Sequence, residues 1–129
     1  MAPSWVLDES KRPLLVVHLD VATSGAAPDL DSLLRALSRV VALARQGPIQ
    51  LLLDLTGASP DADRRRRVAA WLKGEASEVR DRITAFAIVA PSPLLRGTIT
   101  AIRWFFPDRM MRSETFDTRE RALAWITSR

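Results

Sequence analysis

The sequence predicts an α/β fold: a mainly parallel sheet of four to five strands, with an antiparallel strand at its amino-terminal edge and about four helices. Three observations carry this. Short apolar runs rich in branched residues alternate with segments whose apolar residues recur at helical spacing. Clusters of Pro, Gly, Ser and Asp punctuate the boundaries. Single helices between consecutive apolar strands imply right-handed crossovers, which set neighbouring strands parallel. The chain has 129 residues, of which 47% are hydrophobic and 26% charged, the composition of an ordinary globular protein. That length suits a single domain spanning 1–129, with a core large enough to need no disulfide or metal.

Each element follows from local chemistry. Residues 5–7 are a short apolar run, and the polar stretch 8–12 before Pro13 reads as the turn into a second strand. So short a connection makes these two strands antiparallel. Residues 14–19 are nearly all apolar, the pattern of a buried strand. A small-residue loop with Gly25 leads to Pro28, which suits a first helical position, with Asp29 and Asp31 in the first turn. Leu30, Leu33, Leu34, Leu37, Val41 and Ala44 then recur at helical spacing, while Arg35, Arg39 and Arg45 fall outside the stripe. Gly47-Pro48 ends this helix.

Residues 49–55 form a buried strand interrupted by Gln50 and ending at Asp54, and Thr56-Gly57-Ala58 turns the chain. Ser59-Pro60-Asp61 supplies an N-cap, a first helical position and an acidic first turn. The second helix carries Val68, Trp71, Leu72 and Val79 on one face and is weakened at Gly74. Residues 83–90 are the next apolar strand. Ser92-Pro93 repeats the cap, opening a third helix with Leu94, Leu95, Ile99, Ile102, Phe105 and Phe106. Residues 110–116 form the last strand, and Asp117 with Glu120 makes a D-x-x-E capping box for a final helix that packs Ala122, Leu123 and Ile126 inward.

Composition excludes several functions. There is no cysteine, so disulfides, thiolate nucleophiles, zinc ribbons and iron–sulfur clusters are out. There is one histidine, His18, inside a strand and without an identifiable nucleophile or orienting partner, which makes it structural. No glycine-rich phosphate loop is present. Asp54, Asp61 and Asp63 lie close in sequence, but a strand-end acid and two first-turn acids have ordinary roles without magnesium. The expectation is therefore no catalytic residue, no metal and no cofactor: not an enzyme. The start of the chain lacks a signal pattern, and the apolar runs fall far short of the ~20 residues that span a bilayer, so a cytoplasmic location is expected.

Leu51-Leu52-Leu53-Asp54-Leu55-Thr56-Gly57 resembles the Asp-Leu-Ser-Gly strand end of STAS domains, the fold of bacterial anti-sigma-factor antagonists. The tail from Thr115 to Ile126, and Ala85-Phe86-Ala87-Ile88-Val89 with Leu95-Arg96-Gly97, resemble a STAS-like branch of uncharacterised bacterial proteins. The similarity covers nearly the whole chain and agrees with the element order. It implies a regulatory module that binds a protein partner at the edge between the Gly57 loop and the second helix. STAS antagonists are switched on a serine after an aspartate at the start of that helix. Those positions are Ala62-Asp63 here, so the resemblance implies a module without the phosphoserine switch. Asp63 sits there as a fixed charge, which a first helical turn also favours unaided.

Two sets of candidate residues follow. Ser59 and Ser92 begin helices at the carboxyl ends of consecutive strands, where open parallel sheets bind ligands at a switch in strand order. Helix amides there favour anions, and Arg96 adds charge. Thr56, Gly57, Ser59, Ser92 and Arg96 are thus a candidate ligand or anion site, against the plainer reading that both serines only cap helices. Arg64-Arg65-Arg66-Arg67 wraps its helix, since successive residues point about 100° apart, so it reads first as a solvated face. Asp63, Arg64 and Arg67, with Trp104 beside the third helix's stripe, are the candidate partner surface. Charge is uneven: residues 1–60 hold five basic and six acidic groups, and 61–129 hold fourteen and nine. A net +4 is a mild bias, and no aromatic interleaves the arginine run, which disfavours nucleic acid. A homodimer is compatible with this reading, and a membrane surface is not favoured. The alternative is a small-ligand or lipid-binding sensor, with an apolar pocket under the third helix at Leu95, Ile99, Ile102 and Phe106.

Overall fold

Five strands lie side by side in the order β1-β2-β3-β4-β5. The structure is a computed structural model, and it describes residues 5–19, 30–56, 62–90, 93 and 112–128. The elements are β1 (Trp5–Lys11), β2 (Leu14–Leu19), α1 (Leu30–Gln46), β3 (Ile49–Asp54), α2 (Ala62–Lys73), α3 (Glu75–Glu78), a 3-10 turn (Arg80–Arg82), β4 (Ile83–Val89), β5 (Arg112–Phe116) and α4 (Arg119–Ile126). β1 pairs antiparallel with β2, and every later pair is parallel. The sheet is therefore the expected one, with five strands. The third predicted helix lies outside the described residues except for Pro93, which is helical.

Alternation along the strands divides the apolar residues between two layers. Leu15, Val17, Leu51, Leu53, Phe86 and Ile88 face α1, α2 and α3, where Leu33, Leu37, Val40, Trp71, Ala76 and Val79 close the larger core. Leu14, Val16, Leu52, Ala85, Ala87 and Val89 face α4, which contributes Ala122 and Ile126. Leu15, Leu37, Leu51 and Leu52 are fully buried. Each contributes about 1.5–3 kcal/mol from the area it removes from water. As the charge pattern requires, Arg35, Arg39 and Arg45 are exposed on α1. Arg39 pairs with Glu9 of β1, its Nε 3.1 Å from Oε2, and Arg45 pairs with Glu78 of α3 at 2.9 Å. Ser32 is buried because its Oγ accepts the Trp5 amide at 2.8 Å, tying β1 to α1.

Several boundaries differ from the sequence reading. β1 runs through Lys11 rather than stopping at Leu7. As an edge strand it needs only one buried face, so polar residues continue the pairing up to Lys11 opposite Leu14, with one extra residue bulged between Asp8 and Lys11. The second helix breaks at Gly74, whose φ of −93° and ψ of −101° leave the helical region, and a short α3 follows. A Cβ there would meet the Ala70 carbonyl oxygen at 3.1 Å. The described part of the last strand begins at Arg112, residues 110 and 111 lying outside the described set. At the final helix the N-cap is Thr118, not Asp117. The Thr118 Oγ1 accepts the Arg121 amide at 3.3 Å, which places Arg121 where a capping box needs Glu. Asp117 instead pairs with Arg121 at 3.5 Å.

One premise of the candidate ligand site also fails. Among the described residues the strand order rises without reversal, so the described strands show no switch point at the carboxyl edge. Among the described residues no helix is long and apolar enough to cross a membrane.

Candidate functional site

The carboxyl edge of the sheet is organised around Asp54. The residue ends β3 opposite Val89 of β4, which in turn lies opposite Phe116 of β5. Backbone bonds knit the edge beyond the strands: Leu55 donates to the Val89 carbonyl at 2.9 Å, and Ala90 donates to that of Phe116 at 2.8 Å. Asp54 is only 3% exposed, and among the described residues it is the one buried charged side chain. A carboxylate so placed needs compensating donors, and it has them on both oxygens. Oδ1 accepts the Thr56 amide at 2.9 Å, and Oδ2 accepts Nε of Arg119 at 2.6 Å. Burial pushes the Asp54 carboxyl up. The hydroxyl and amide of Thr56 and the Arg119 guanidinium outweigh it and hold the group below the usual carboxylate value.

Arg119 opens α4, where the helix dipole disfavours a cation. Asp54 offsets that penalty, so one carboxylate braces two elements: the start of the loop into α2 and the first turn of α4. The far end of α4 is held as well, because Gln50 Nε2 donates to the Ile126 carbonyl at 3.0 Å. Between these ends Trp125 packs on Phe116, ring centroids 5.5 Å apart and tilted by 50°.

Of the predicted site residues, the structure places Thr56 at this edge, exposed, with its amide on Asp54. Arg67 lies on α2, exposed, with no ion pair to a described residue. Asp63 and Arg64 belong to α2, but their side chains lie outside the described set. Gly57, Ser59, Ser92, Arg96 and Trp104 also lie outside it, as do the residues expected to line a pocket under the third helix. Sequence reasoning treats Asp54 only as a strand-end acid and misses Arg119 altogether. An acid at the end of a buried, mostly apolar strand signals a need for a cation. Nothing local indicates which of the 17 arginines answers it across 65 positions.

His18 is half-buried in β2 and its Nδ1 donates to the Leu19 carbonyl at 3.0 Å, in keeping with a structural role. No group of three His, Cys, Asp or Glu side chains converges as a metal site among the described residues. A cleft of about 490 Å³ lies at the opposite, amino-terminal edge of the parallel strands, with Lys11, Pro13, Ile49, Gln50, Thr84 and Thr127 among its lining residues. Three of its polar side chains are turned to internal use: Gln50 holds Ile126, Thr84 donates to Ile49 and Thr127 donates to Leu123.

A family model described as SpoIIAA-like matches residues 16–127, nearly the whole chain. No curated protein and no solved structure matches it. The chain belongs to the SpoIIAA-like family, in agreement with the STAS-like order of its strands and helices.

Proposed function

We propose that this SpoIIAA-like chain is a single-domain, non-enzymatic regulatory module that binds a protein partner through the carboxyl edge of its sheet. The observation that carries this reading is the bracing of that edge. Asp54 is buried at the root of the Thr56 turn and is held from both sides, so the loop leaving β3 starts from a fixed point. A preorganised surface loses less conformational freedom on association than a loose one. Family membership supports the same role, since SpoIIAA-like antagonists act by binding other proteins. The residues proposed for this contact are Thr56, Gly57 and Ser59, Asp63, Arg64 and Arg67, and Ser92, Arg96 and Trp104. Position 63 carries no hydroxyl, so binding is not gated by a phosphoserine there.

Site-resolved crosslinking tests the surface. A photoreactive residue replaces Thr56 in one variant and Thr84, at the opposite edge, in another. The reading expects a discrete protein adduct from position 56 in host cells and none from position 84. Capture only from position 84, or from neither, overturns it.

A further inference from the structure

Arg119 reaches Asp54 through Nε alone, at 2.6 Å. Its two Nη groups make no hydrogen bond with a described residue, Arg119 pairs with no other described acid, and the side chain stays 44% exposed. A guanidinium anchored from behind by a buried carboxylate differs from an ordinary surface arginine. Its orientation is already set, and its outward side offers paired N–H donors in a plane, the geometry that matches a carboxylate with two parallel bonds. The anchor is firm because Asp54 also accepts the Thr56 amide and is itself buried. Among the described neighbours, Asp117 faces Arg121 at 3.5 Å, and Glu120 is exposed in the same turn.

From this juxtaposition we propose that Arg119 is a recognition residue, presenting its Nη pair to an Asp or Glu carboxylate on the partner protein. The proposal rests on the interaction-module reading and supplies the chemistry of the partner's contact. An acidic partner also fits the charge of the chain, which is +4 overall and concentrated in residues 61–129 with fourteen basic against nine acidic groups. Asp54 then has two tasks. It neutralises Arg119 enough to hold it in the first turn of α4, and it aims the remaining donors outward.

The test needs no identified partner. Arginine side-chain and backbone NMR signals of the full chain are followed during titration with an acidic tripeptide of aspartate and glutamate, blocked at both ends. The amide tripeptide of asparagine and glutamine and inorganic phosphate, all at matched ionic strength, are the comparisons. The acidic peptide is expected to shift the Arg119 Nη signals and the Thr56 amide saturably, and the amide peptide is not. Arg119→Lys keeps the charge and a donor for Asp54 but removes the planar pair, so binding should weaken about tenfold. The Phe116 and Trp125 ring signals report that this variant is folded. Equal affinity in Arg119→Lys, shifts located away from Arg119, or phosphate binding as well as the peptide would each overturn the proposal. Photocapture at position 56 that persists undiminished in Arg119→Lys would also overturn it while leaving the interaction module standing.

Discussion

Replacing Asp54 by Asn isolates the charge of the brace at nearly constant shape. The Asn carbonyl can still accept the Thr56 amide, but Arg119 loses its counter-ion and sits uncompensated in the first turn of α4. Removing one partner of a fully buried ion pair costs about 3–5 kcal/mol. Here only Asp54 is buried, and Arg119 at 44% exposure can turn back to water, so the cost falls to about 1–2 kcal/mol. For a chain of this length that lowers the melting temperature by about 4–8 °C at pH 7. The pH dependence gives a second, sharper signature. The Asp54 carboxyl is held below its ordinary value, so its contribution is complete above the unfolded carboxyl value of about 4. That contribution disappears as pH falls through the lowered value in the folded state. Thermal melts of the native chain and Asp54→Asn, followed by circular dichroism at pH 7 and at stepwise lower pH, should therefore converge in acid. Equal melting temperatures at pH 7, or a gap that persists unchanged into acid, would refute the role assigned to the brace.

Three further outcomes are expected. Leu37→Ala removes a fully buried side chain from the larger core and should destabilise the chain by about 2–5 kcal/mol in a denaturant titration. Thr118→Ala removes the side-chain acceptor for the Arg121 amide and should cost about 1 kcal/mol, with Thr118→Ser restoring most of it. Incubation with host extract and ATP should leave the α2 region without phosphate by mass spectrometry. Stoichiometric phosphate on Ser59 would contradict the absence of a switch.

The parts of the fold legible in the sequence are those whose cause is local. The branched apolar runs of β2, β3 and β4 and the apolar stripe of α1 predict buried elements without reference to the rest of the chain. The extent of β1 was not legible, because an edge strand with polar residues lacks the apolar signal of an interior strand. The cap of α4 departs from the sequence reading for a different reason. Asp117 and Thr118 are both good N-caps, and the geometry at the end of β5 decides between them. At the candidate site, Thr56 was readable from the turn after an apolar run. The partnership of Asp54 with Arg119 was not, since it joins residues 65 apart through a sheet register that only the folded chain defines. The switch-point argument for a ligand crevice misled because it depends on strand order, which no local pattern encodes.

Native mass spectrometry of the protein isolated from its own host tests the proposed role most directly. An interaction module predicts a discrete added protein mass that dissociates at raised salt and is reduced by Arg119→Lys. An added mass of only a few hundred daltons would contradict it in favour of a bound small ligand, and a bare chain would contradict a stable partner altogether.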